Sequence, residues 1–286
     1  TLLTNYHSNG LLKQYLETVN GQACGCLKEW YSNGQKKLET SVIAGIPELN
    51  DTAESTWLFE GISRVWDSSG QLIALYGYEK GVLEGGTTYY HEGNILETVQ
   101  YASGVKEGLR EYYWNGDCFL SEQYRKDLLK EGLYLNKQLG VVSGEGFQPS
   151  FKNGEIVEIR QIKKGRVEGK IQCFDNGLVR EFSLFNGLKH GPEIVYSPQK
   201  MTIDWCEGNI QGEVKSWHAN GGLESRREMN MNQKHGLSTA WYEEGSLMLI
   251  EEYDNDILVK GEYYKKGDNT PSSKVEKGRG AVTLFS

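Results

Sequence analysis

The chain is poor in the residues that break, staple or span. Only 5 of its 286 residues are proline and 5 are cysteine. Cysteines so few, and odd in number, argue against a disulfide framework and favour a reducing compartment, so a cytoplasmic location is expected. No apolar run approaches the ~18 residues of a membrane-spanning helix. No segment keeps an i, i+3, i+4 apolar stripe for three turns, which argues against a helical fold. Basic residues come as pairs at most, as in Lys36-Lys37, Lys163-Lys164, Arg226-Arg227 and Lys265-Lys266, and the net charge is −8. Nucleic acid binding draws on clustered Lys and Arg for counterion release, and anionic membranes on clusters of about 4–8 basic residues. Neither is an expected partner. No signal peptide is visible, yet the chain opens at Thr1 without a methionine, so removal of an upstream targeting segment is a standing expectation.

Hydrophobic residues reach only 38%, but aromatics make up 11% and glycine numbers 35. That combination describes a folded chain with a thin core, many turns and half-buried side chains, which is a β-rich composition. Internal periodicity carries the rest. Turn glycines fall at Gly10, Gly34, Gly70, Gly93, Gly116, Gly154, Gly177, Gly221, Gly245 and Gly267. Most spacings are 22 to 24 residues, and the 44 between Gly177 and Gly221 is a double period whose missing turn lies in "YSPQK", at Pro198 and Gln199. A second pattern, G-x-x-x-G, ends at Gly25, Gly85, Gly108, Gly169, Gly191 and Gly212, with Asn232/Gly236 as a variant. Five residues after the second glycine stands an aromatic: Trp30, Tyr90, Tyr113, Phe174, Tyr196, Trp217 or Trp241, and Gly61 leads to Trp66 by the same rule.

Each unit reads as two antiparallel strands and two turns. Segments such as "YSNG", "YYWNG" and "WHANG" end one strand in a tight Asn-Gly-type turn. Apolar residues six apart in the next strand, Leu72 and Tyr78 for example, share a face. The glycine inside the return strand is expected to leave a gap for a neighbouring aromatic.

In these features the chain resembles the MORN repeat in its bacterial YwqK-like variant, close to "Y-x-N-G-x-L…Y-x-x-G-x-x-x-G", over about ten units from Tyr6 to Gly267. The resemblance implies an all-β fold: an elongated, curled antiparallel meander of stacked hairpins, with residues 1–286 as one array. It implies an interaction or scaffold module, some bacterial members being described as antitoxins. Three places depart from the pattern: an insertion at about 46–60, another at about 133–150, where the aromatic position falls on Lys137, and an atypical last unit at 262–286. That unit stops within "AVTLF", which reads as a strand and leads us to expect that the natural protein continues past Ser286. Its charged, proline-bearing segment 265–277 is expected to act as a terminator of the sheet edge.

No residue pattern calls for chemistry. His7, His91 and His218 follow the repeat aromatic, while His190 and His235 precede the second glycine, so all five histidines sit in repeat slots. Cys24 and Cys26 lack the further ligands a zinc site takes, and no phosphate-binding loop or G-x-S-x-G is present. Catalytic, cofactor and metal residues are therefore expected to be none. A non-enzymatic protein-binding role leads, with an accessory domain of a longer enzyme or effector as the alternative. The insertions, which the repeat does not require, are expected either to cover a sheet face as a lid or to bind a partner, and for the second role they supply the candidate residues Trp57, Leu58, Phe59, Leu139, Val141 and Phe147.

Overall fold

The computed structural model describes residues 1–284. Among them are 27 strands and one short helix, Asp51–Glu54, and strand pairs with sequence neighbours are antiparallel. The expected all-β meander of hairpins is what the chain forms. It divides into two compact units: Thr1–Gly146 with Lys164–Arg166, and Phe147–Lys163 with everything from Val167 onward. The division falls close to the second insertion. That insertion is itself strand, Gly140–Val142 and Glu145–Lys152.

The turn that follows the repeat aromatic comes in two forms. At Asn115-Gly116 both residues have positive φ, 50° and 85°, the two-residue turn that Asn-Gly favours. At Tyr31–Gln35 only the glycine does, and Gly34 donates to the Tyr31 carbonyl while Tyr31 N–H donates to that of Gln35. This second, longer form recurs at His7–Leu11, Asp67–Gln71, His218–Gly222 and Tyr242–Ser246.

The in-strand glycine corrects a sequence expectation. Gly25 (φ +122°), Gly169 (+94°), Gly212 (+115°) and Gly236 (+96°) all lie in left-handed backbone, and no aromatic covers them. The space belongs instead to a polar side chain eight residues earlier. A Cβ on Gly25 would meet Glu17 Oε2 at 2.3 Å, and Gln161, Asp204 and Glu228 stand likewise against the other three. Each of those side chains accepts the next backbone N–H: Glu17 from Cys26 at 2.8 Å, Gln161 from Lys170 at 3.0 Å, Asp204 from Glu213 at 3.0 Å, and Glu228 from Leu237 at 3.1 Å. The glycine therefore makes room for a hydrogen-bond acceptor at a bulge that would otherwise strand an amide.

One hydrophobic cluster of the first unit is Leu16, Ala23, Leu27, Val42 and Trp57, with Leu3, Leu38, Leu49 and Phe59 packed against it. Three of these nine come from the first insertion. Its helix is capped by Asn50, whose side chain accepts from Ala53 N, and the Trp57 indole donates to the Ile46 carbonyl at 2.9 Å. The insertion is a lid on the sheet. Further along, polar side chains replace apolar ones. Glu122, fully buried, accepts from Arg110 Nη1 at 2.8 Å and from the hydroxyls of Tyr124 at 3.0 Å and Tyr134 at 2.9 Å. Gly132 lies opposite Glu122, and a Cβ there would strike the Tyr134 hydroxyl.

The second unit repeats this device at the same spacing: Glu251 accepts from Tyr253 at 3.0 Å and Tyr263 at 2.8 Å, with Gly261 opposite. Val141 pairs with Gly132 and Val275 with Gly261, both valines buried, so each unit has its own hairpin of this kind. Within the segment expected to terminate the sheet, 265–277, Ser273–Glu276 pairs with the strand Ile257–Tyr263. Residues 281–284 are irregular rather than strand, and Phe285 lies outside the described residues.

Gly25→Ala adds both left-handed strain and a clash with Glu17, whereas a Cβ on Gly85 (φ +76°) meets nothing within 4 Å. In urea unfolding Gly25→Ala is expected to cost about 3 kcal/mol and Gly85→Ala about 1 kcal/mol; equal costs would remove the acceptor from the explanation. The Cys26 N–H, and then the Tyr15 hydroxyl, hold Glu17 below its ordinary 4.5. Its folded pKa being the lower one, the stability it adds is complete above that ordinary value and disappears as pH falls through the folded one. Glu17→Gln keeps an acceptor without the titration, so its stability between pH 6 and pH 3 should fall less than that of the parent chain.

Candidate functional site

All the repeat aromatics but Tyr196 are half-buried, and seven of the eight follow a bulge. The register shifts between Glu29 and Trp30, Val65 and Trp66, Tyr89 and Tyr90, Tyr112 and Tyr113, Cys173 and Phe174, Ser216 and Trp217, and Ala240 and Trp241. A bulge re-aims the side chain after it, so these rings do not keep the alternation of their strands.

The residue after the aromatic clasps the next repeat. His7 Nε2 lies 2.9 Å from the Trp30 carbonyl and His218 Nε2 2.8 Å from that of Trp241. A carbonyl only accepts, so Nε2 carries the proton in both rings. Tyr31 donates to the Trp66 carbonyl and Tyr242 to that of Tyr264, each at 2.9 Å. Beside these runs an asparagine ladder: Asn9 donates to Ser32 O, Asn33 to Ser68 O and Asn220 to Glu243 O, each at 2.7 Å. His91, in the same slot, stacks on Trp114 at 5.4 Å. Among the described residues no group of three or more His, Cys, Asp or Glu is placed to hold a metal ion.

Of the insertion residues, Trp57 and Val141 are buried in the chain's own core and offer nothing to a partner. Phe59 packs on that core and meets the Tyr78 ring edge-on at 5.5 Å. Leu139 is half-buried, which leaves Leu58 and Phe147, 40% and 43% exposed, as the accessible members. An insertion was the natural place to seek specificity, but burying its apolar residues serves a thin-cored sheet better than exposing them.

Two open grooves sit at one repeat position, one in each unit. The first, about 450 Å³, has Trp30 and Tyr31 in its wall together with Lys13 and Lys37. Its far side is the lid helix, through Asp51 and Glu54, and Gln14 bridges the gap by donating to Glu54 at 2.7 Å. The second, about 750 Å³, has Trp217 and His218 where the first has Trp30 and Tyr31, and Lys200 where the first has Lys13. It opens at the irregular turn. Six residues separate Tyr6 from Lys13, but only three separate Tyr196 from Lys200. Gln199 takes over the clasp there, reaching the Trp217 carbonyl at 3.3 Å, while Tyr196 stands 41% exposed at the rim. Sequence reading missed this groove, although the shortened "YSPQK" turn was its visible signal.

The model of the MORN repeat variant matches residues 234–255, the strand–turn–strand that carries Trp241 and Tyr242. No curated protein matches the chain. A solved structure that matches is a chain in the "Crystal Structure of TcdB2-TccC3-Cdc42", at 10% identity and a TM-score of 0.22, covering 96% of this chain. This chain spans 19% of that one, and a likeness so low carries nothing across. No helix among the described residues is long and apolar enough to cross a membrane.

Tyr31→Phe removes one clasp and should lower stability by about 1 kcal/mol, while Trp57→Ala opens a cavity under the lid and should cost about 3–5 kcal/mol. Chemical denaturation of both variants checks this; a Trp57→Ala loss under 1 kcal/mol would mean that the insertion is not part of the core.

Proposed function

We propose that this chain, whose residues 234–255 match the MORN repeat variant, is a non-enzymatic binding module whose partner is a protein and whose docking place is the groove at Tyr196, Lys200, Trp217 and Glu224. One observation carries this reading: the same repeat position forms a groove in each unit, bounded by the chain's own lid in the first and by the shortened turn in the second, where no lid residue lines it. Aromatic side chains in a partly desolvated groove are favoured protein anchors, and repeat arrays recognise partners through such surfaces. The histidine in the lining supports a binding role over a catalytic one, since its Nε2–H is engaged by the Trp241 carbonyl. The net charge of −8 disfavours nucleic acid and anionic lipid as competing ligands.

The test is affinity capture from a lysate of the source cells on the immobilised chain, with Tyr196→Ala/Trp217→Ala as comparison after matching its thermal unfolding to the parent. We expect a protein retained by the parent and lost by the double variant, with no co-sedimentation on anionic vesicles. Equal retention by both, or binding to vesicles, would contradict the proposal.

A further inference from the structure

Asn-Gly occurs eight times in the chain, and the fold treats its copies in two ways. In the longer turns Asn9, Asn33 and Asn220 are tied at both ends of the side-chain amide. Each Nδ2 donates to a carbonyl of the next repeat at 2.7 Å. Each Oδ1 accepts the N–H two residues on, from Leu11 at 3.1 Å, Gln35 at 3.0 Å and Gly222 at 2.8 Å. The following glycine is tied as well: Gly10, Gly34 and Gly221 donate across the turn to the carbonyls of His7, Tyr31 and His218, each at 2.9 Å.

Asn20, Asn115, Asn153 and Asn186 stand instead in two-residue turns between strands, exposed and at φ of 49°, 50°, 51° and 51°. Among the described residues no hydrogen bond holds these four side chains, and the N–H of the glycine that follows closes no bond across the turn. Asn176 differs from them by donating to the adjacent Asp175 at 3.3 Å. The same dipeptide is thus fixed in one kind of turn and free in the other.

An asparagine ahead of glycine is open to attack by the glycine nitrogen, because no Cβ on that residue shields it. We propose that Asn20, Asn115, Asn153 and Asn186 are sites of spontaneous deamidation, and that the array protects Asn9, Asn33 and Asn220 from the same reaction. At Asn115 the Gly116 nitrogen bonds to the side-chain carbonyl carbon, the amide nitrogen leaves as ammonia with the glycine proton, and solvent water opens the five-membered imide that results. Opening at one carbonyl gives aspartate, which also accepts the left-handed turn. Opening at the other gives isoaspartate, whose extra backbone methylene enters a turn where Trp114 pairs with Asp117. Either product adds a negative charge to a chain already at −8. At a tied asparagine the reaction has first to release the amide from both its partners and the glycine N–H from its own, which slows it. Protection falls where the loss is greater. A carboxylate at Asn33 has no proton to give the Ser68 carbonyl, and the ladder between repeats loses that rung.

The test is a time course of the full chain in mildly alkaline buffer, with the same chain unfolded in urea alongside, each digested and read by mass spectrometry that separates aspartate from isoaspartate. In the folded chain Asn20, Asn115, Asn153 and Asn186 should each convert at least tenfold faster than Asn9, Asn33 and Asn220. In urea the two groups should converge, because the difference belongs to the hydrogen bonds and not to the neighbouring residue types. Any of the three tied asparagines converting as fast as the four free ones, any of the four as slow as the three, or a difference that persists in urea would overturn the proposal.

Discussion

The structure depends on a backbone constraint: at Gly25, Gly169, Gly212 and Gly236 the chain passes through left-handed φ inside a strand, and the amide that follows bonds to a side chain instead of a strand partner. Glycine answers the first demand at Gly25, Gly169, Gly212 and Gly236. Glu17, Gln161, Asp204 and Glu228 answer the second by accepting the N–H that follows. Neither residue is sufficient alone. A side chain at the glycine would occupy the acceptor's space, and an apolar residue in place of the acceptor would leave a partly buried amide unpaired, at a cost of about 1–3 kcal/mol. A hairpin with this bulge can be repeated because the turns then fall in line, and His7, Tyr31, His218 and Tyr242 each reach the carbonyl of the next repeat.

Thin cores follow from the same design. A sheet with a turn at every few residues buries little apolar surface, so polar side chains share its interior. Glu122 and Glu251, each held by two tyrosine hydroxyls over a glycine, show the form this takes. Removing such a carboxylate would strand both hydroxyls, which is why a buried acid is tolerated in a fold with few hydrophobic residues. The first insertion adds what the sheet lacks. Trp57, Leu49 and Phe59 supply apolar volume over Leu16, Leu27 and Val42.

Much of this was legible in the sequence, and the limits are physical. The turn glycines, the G-x-x-x-G pair and the aromatic five residues later give the fold because each is a local backbone demand. Strand alternation fails at Trp30, Trp66, Tyr113 and Trp217, where bulges interrupt the register and no residue type announces them. The acceptors at the glycines were hidden because glutamate, aspartate and glutamine share the slot. Glu-x-Tyr with a later Gly-x-Tyr occurs at the same spacing in both units, and only the structure shows that the four residues meet. Trp57 and Val141 carry a general lesson: an apolar residue outside the repeat can be core as readily as contact surface. The turn at Pro198 and Gln199 was visible as an irregularity, but that it opens a groove beside Trp217 depends on neighbouring strands.

A repeat array offers the same surface many times, so specificity has to come from where the repetition fails. In this chain one failure, the first insertion, forms the lid around Trp57, and another, at Tyr196–Lys200, borders a groove with no lid residue in its lining. Hydrogen exchange of the full chain, with and without its captured partner, tests that claim most directly. The account predicts new protection concentrated in the backbone from 196 to 224, with the lid around Trp57 unchanged. Protection spread along the turns of the first unit, with 196–224 exchanging as before, would contradict it.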